Sequence, residues 1–224
     1  MVEPLDDHDP ARAEKVCGEI CRAALVDLAP ALLLLPATER RRARALGAFV
    51  LTLFDFADQP GLDGDRLAEI NRWEFQLEEA LEGRPPGQPV FVLMAREEAI
   101  RPWPRPALDL VVAAARRRAL AASTSGASRR ISPGLAKGLA GALLGEAVSE
   151  DAVRLASDLL GAGGGQPAAG GGRAMAREIP EHWRAATRYL RLASAKIGSA
   201  ADRRKPKLGL VTRLALLARA HLLP

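Results

Sequence analysis

The chain has 224 residues, of which 48% are hydrophobic and only 4% aromatic, and a formal net charge of +5. That length allows one large domain or two small ones with a substantial core, and the dominance of Ala, Leu and Arg favours helix and argues against a sheet protein. The charge is modest but uneven: from Arg173 onward basic residues outnumber acids, which suits phosphates or anionic lipid, while the lack of interleaved aromatic residues argues against nucleic acid.

The first residues carry Glu3, Asp6, Asp7 and Asp9, a charge pattern opposite to that of a signal peptide. Pro10 to Leu28 reads as a helix with Val16, Ile20, Ala24 and Leu28 on one face. Cys17 and Cys21 sit one turn apart with no second Cys or His pair at metal spacing, so they read as reduced thiols in a reducing compartment. His8, His182 and His221 are scattered. The apolar run Ala29 to Pro36 is too short to span a bilayer. The expectation is a soluble, cytoplasmic protein.

After the turn framed by Pro30 and Pro36, Thr38 is placed to cap a long helix. That helix opens with Arg40, Arg41, Arg42 and Arg44, against the sense of the helix dipole. Two readings stand: an anion or acidic partner nearby, or a solvated basic face, with spacing alone favouring the second. The helix then becomes the apolar stretch Ala45 to Asp58, with Leu46, Phe49, Val50, Leu53, Phe54 and Ala57 at helical spacing. It ends on Asp55 and Asp58, which three-residue spacing puts on nearly one face. Carboxylates there need either water or a cation, and Mg²⁺ held by one or two carboxylates and a phosphate is one such cation. Spacing alone favours the solvated pair.

Beyond the loop at Gln59 to Gly64, Asp65 is expected to cap a helix over Arg66 to Glu82, with Leu67, Ile70, Trp73, Phe75, Leu77 and Leu81 inside and Gly83 closing it. Pro89 to Met94 fits strand or helix; a helix over about Val90 to Ile100 is the reading adopted. Pro102 to Pro106 breaks the chain, and Ala107 to Ala122 follows as a helix with Leu108, Val111, Val112, Ala115 and Leu120 inside and Arg116 to Arg118 near its end. Ser123 to Pro133 reads as loop, Gly134 to Leu144 as a close-packed helix or loose segment, and Ser149 to Leu160 as helix. Gly161 to Gly172 is a low-complexity flexible linker without the features of a phosphate loop. Pro180 to Ala200, anchored by Trp183, Ala186, Tyr189, Leu190 and Ala193, and a last helix from Pro206 complete an all-α chain, taken as a single helical domain over 1–224.

One arrangement of these residues has a counterpart. Leu34-Leu35-Pro36, Arg40, Ala45 to Phe49 and Asp55-Phe56-Ala57-Asp58, followed by Arg66-Leu67, Trp73, Leu77, Leu81-Glu82-Gly83 and Pro89-Val90, resemble the opening of the squalene and phytoene synthases. The likeness is clearest over residues 30–115. It implies an isoprenoid-synthase-like helical bundle around a central cavity. In such enzymes two acidic motifs hold Mg²⁺, which draws off the diphosphate while two prenyl chains join head to head. The resemblance makes Asp55 and Asp58 the metal residues, with Asp158 as a further one, and Phe54, Arg40 and Arg44 the substrate-binding candidates.

The departures fall on the chemistry. Phe54 stands where the first aspartate of the motif is expected, Leu51 where a diphosphate-binding arginine is expected, and glycine and alanine replace the remaining acids around Asp158. Losing one charge stabiliser of the transition state costs on the order of 3–4 kcal/mol. What the resemblance implies is therefore a synthase-like protein that binds prenyl diphosphate or isoprenoid lipid with little or no condensation activity. The alternatives are an active Mg²⁺-dependent transferase and a non-catalytic helical partner-binding protein. A partner synthase and a peripheral anionic membrane surface are the expected macromolecular contacts.

Overall fold

Asp9 starts the first helix. Its carboxylate accepts from the backbone N–H groups of Ala11 at 2.9 Å and Arg12 at 3.3 Å, and Pro10 occupies the position where a missing N–H costs nothing. In the computed structural model, which describes residues 9–24, 29–59 and 63–121 together with Leu139, Ala142, Leu143, Ala185, Ala186 and Tyr189, the elements are all helices. They are α1 (Pro10–Ala24), α2 (Pro30–Leu33), α3 (Ala37–Asp58), α4 (Asp63–Leu81), α5 (Pro89–Ile100) and α6 (Arg105–Ala121). No strand occurs among the described residues. The ambiguous segment from Pro89 to Met94 is the start of α5, with Pro89 in its first turn.

The chain divides into two compact units, one formed by Met1–Ala23 and Arg41–Ala127 and the other by Ala24–Arg40 and Ser128–Pro224. In the second unit Ala31, Leu32 and Leu35 are buried, as are Leu139, Ala142, Leu143, Ala186 and Tyr189. The readings of Gly134 to Leu144 and Pro180 to Ala200 touch the described residues only there, where the residues are helical. The expected loop at 123–133, helix at 149–160, linker at 161–172, last helix and Asp158 lie outside the described residues.

The first unit is organised around Trp73. Its indole lies 4.8 Å from the Phe91 ring, 5.3 Å from Phe56 and 6.1 Å from Phe49, so one α4 side chain joins α3 and α5. Edge-on and tilted pairs of this kind add to the stabilisation from burial alone. α4 packs against α5 and α6. Along its contact with α6, Arg105 pairs with Glu78 at 2.8 Å, while Arg116 meets Asn71 at 2.8 Å and the carboxylate of Glu74. The early residue of α6 meets the late residue of α4 and the reverse, so the two helices run antiparallel.

α1 and α3 approach closely because small residues face each other. A Cβ on Gly47 would lie 3.0 Å from the Cys21 sulfur, and one on Gly18 would lie 3.4 Å from the Arg44 side chain. The buried stripe of α1 is Ala13, Cys17, Gly18 and Cys21. The expected stripe is displaced: Val16 and Ile20 are only half-buried and Ala24 is exposed. Small residues take the inner face because the bulkier β-branched ones would hold the helices apart.

Helix boundaries also differ from expectation. α3 begins at Ala37, so Thr38 lies inside its first turn rather than capping it. α4 begins at Asp63, which puts Asp65 inside the helix, and α6 begins at Arg105. Phe75, expected inside, is 63% exposed, and Leu120 is exposed as well. Ile70, Trp73, Leu77 and Ala80 already complete the inner stripe of α4, and Phe75 lies about 200° around the helix from Trp73. Ala119 takes the inner position expected of Leu120. Gly83 does close α4: at φ 81° it lets its own N–H reach the Ala80 carbonyl at 3.1 Å and the Arg84 N–H reach Glu79 at 2.9 Å.

Candidate functional site

The acidic end of α3 is the focus of the sequence reading. Its last turn buries Leu53 and Ala57, leaves Phe54 half-buried and puts Asp55 in solvent. Asp58 is held. The Nε and Nη2 atoms of Arg118, on α6, each donate to a different Asp58 carboxylate oxygen at 2.5 Å. The guanidinium carbon of Arg118 also lies 5.1 Å from the centre of the Phe54 ring. A flat, forked cation between a carboxylate and an aromatic face is a use to which arginine is suited and lysine is not. The side chains are 19% and 31% exposed, so this is a partly shielded pair. The sequence reading attached Arg118 to the dipole of its own helix; its partner lies on α3 instead.

The arginines at the other end of α3 are not a solvated face. The nearby acidic partner was the other reading, and it is what Arg41 and Arg44 have: Arg41 meets Glu97 at 3.2 Å and Arg44 meets Glu14 at 3.0 Å. Arg44 thus ties the first half of α3 to α1. Arg42 is 3% exposed. It donates to the carbonyl oxygens of Arg101 at 2.6 Å and Pro102 at 3.2 Å, and its guanidinium lies 3.6 Å over the Trp103 ring. These carbonyls lie just past the C-terminus of α5, which ends at Ile100, where the helix dipole is negative and favours a cation. Trp103 is itself fixed, its Nε1 donating to the Met94 carbonyl at 3.1 Å and its backbone N–H to Glu98 at 2.6 Å. Arg40 belongs to the second unit, is half-buried, and donates its backbone N–H to Pro36 at 2.8 Å.

The six candidates fall as follows. Phe54, Asp55 and Asp58 share the end of α3, Arg44 is committed to Glu14 near its start, Arg40 belongs to the other unit, and Asp158 lies outside the described residues. Among the described residues no three His, Cys, Asp or Glu side chains come together as a metal cluster. A Mg²⁺ at this end of α3 would find one exposed carboxylate in Asp55 and, in Asp58, one whose two oxygens already carry Arg118. Both cysteines are free and buried, and burial pushes each thiol up to about 12. Among the described residues no helix is long and apolar enough to cross a membrane.

Comparison with protein families, with curated proteins and with solved structures gives no match for this chain. The residues that carry polar links in the first unit beyond the candidates are Arg42, Glu97, Trp103 and Arg118. Their signal in the sequence was faint: a cation run at a helix start and another near a helix end, with nothing to say which acid each would meet.

Proposed function

We propose that this chain is a squalene/phytoene synthase-like helical protein that binds a prenyl diphosphate or isoprenoid lipid with little or no condensation activity. The observation that carries the low activity is the fork between Arg118 and Asp58 at the place where the resemblance puts a metal ligand. Head-to-head joining begins with ionisation of a diphosphate, and Mg²⁺ held by Asp55, Asp58 and Asp158 would supply the charge that ionisation needs. Phe54 replaces a carboxylate, and Asp58 is already neutralised by a side chain, so the charge available to a metal is small. Ligand binding rests on the order of residues from Leu34 to Val90 and on a basic C-terminal part that suits a phosphate, an anionic membrane surface or an acidic partner synthase in the cytoplasm.

Calorimetry of the full chain with farnesyl and geranylgeranyl diphosphate, with and without Mg²⁺, tests the reading. Saturable heat with no C30 or C40 product is expected. An absence of saturable heat with either compound ends it, and brisk product formation replaces it with an active Mg²⁺-dependent transferase. A second reading is a helical partner-binding protein with no small ligand, to which the exposed Phe75 and Ile100 of the first unit would be open. Absence of prenyl binding together with concentration-dependent association supports that one.

A further inference from the structure

We propose that Arg118 is the resident cation of Asp58, a built-in guanidinium that keeps divalent metal off the end of α3, where the exposed Asp55 also lies. The inference deepens the reading above by naming how this end of α3 is regulated, and it is tested with the metal alone, so its outcome is independent of whether a prenyl diphosphate binds.

Three observations converge on it. First, Arg118 uses two separate nitrogens on the two separate oxygens of Asp58, so neither oxygen is left without a cationic donor. A divalent ion bound there has to displace a fork rather than a single contact. Second, the guanidinium sits 5.1 Å from the Phe54 ring. The residue in the position of the missing aspartate thus faces the cation with its negatively polarised aromatic face. An aspartate at position 54 would add a carboxylate to the pair and attract a second charge; a phenylalanine favours a weakly hydrated planar cation over a hydrated Mg²⁺. Third, the neighbouring cation Arg116 is committed to Asn71 and Glu74 on α4, which fixes α6 alongside and presents Arg118 to α3.

Around the pair stand Phe54 and Asp55 on α3, Arg116 and Arg117 beside Arg118 on α6, and on α4 the buried Arg66, which donates to the carbonyl of Gln59 at 3.0 Å, one residue after Asp58. Removing Arg118 removes one positive charge and two donors from Asp58 and leaves Asp55 untouched, so the pair should gain affinity for a divalent cation.

The experiment is a Mn²⁺ titration of the full chain, read by electron paramagnetic resonance, for the wild type, Asp58→Asn, Arg118→Gln, Arg118→Lys and the double variant Arg118→Gln/Asp58→Asn. The wild type should show only weak, unsaturated binding. Arg118→Gln should bind Mn²⁺ about tenfold more tightly, and the double variant should lose that gain. Arg118→Lys keeps the charge but loses the fork and the stacking on Phe54, so it should fall between the wild type and Arg118→Gln. Saturable Mn²⁺ binding by the wild type that Asp58→Asn removes overturns the proposal, and so does an Arg118→Gln chain that folds yet gains no affinity.

Discussion

At the scale of single residues, charge in this protein meets backbone as well as opposite charge. Arg42 is the clearest case, a buried cation whose donors reach carbonyls at the end of α5 while its flat face covers Trp103. Replacing it with methionine keeps the stem and strands those oxygens, so Arg42→Met should lower stability by about 2–4 kcal/mol in urea unfolding. Arg42→Lys should recover less than half of that, because an ammonium cannot fork or stack. The cysteines give a pH dependence with a definite sign. Each thiol is raised from an ordinary 9.0 to about 12, mainly by burial, so the unfolded chain loses these protons first. Their contribution is intact below pH 9 and is lost as pH rises toward 12, so Cys17→Ala should reduce the alkaline loss of stability measured across that window. At pH 8 both thiols should stay unreactive to a thiol reagent until the chain is unfolded.

At the scale of elements, close approach and helix ends decide the packing. Gly83 sits at φ 81° with open space around the position a Cβ would take, so Gly83→Ala should cost about 1 kcal/mol from backbone strain alone. Gly47 is a different case, because its missing Cβ leaves room for Cys21 at 3.0 Å. Gly47→Ala gains about 1 kcal/mol of helix propensity and meets that sulfur, so it should be more favourable in a Cys21→Ala chain than in the wild type, which a double-mutant cycle measures directly. The link from α3 to α6 through Asp58 and Arg118 is partly exposed, and solvent screening limits it to about 0.5–1 kcal/mol. Asp58→Asn and Arg118→Gln should therefore each produce a small loss, and the double variant should lose little more than either one.

At the scale of the whole molecule, a chain in which Asp58 already carries a cation and Asp55 is exposed should not depend on metal for its stability. Its Tm should be the same with and without a chelator, and addition of Mg²⁺ should leave it unshifted. The helical character was legible throughout the described residues because apolar spacing, prolines and Gly83 are local signals. The inner face of α3 was legible for the same reason: Leu46, Phe49, Val50, Leu53 and Ala57 are all buried, and of the expected stripe Phe54 alone is half-buried. Which side of α1 faces inward was not, since Val16 and Ile20 are the more apolar residues and the close approach of Gly18 and Gly47 is a property of two helices together. The sequence by itself determined where helices form and which acids and arginines flank them. Only the tertiary structure decided that Arg41, Arg42, Arg44 and Arg118 find Glu97, the end of α5, Glu14 and Asp58, because the partner of a charge lies far along the chain and burial, not spacing, selects it.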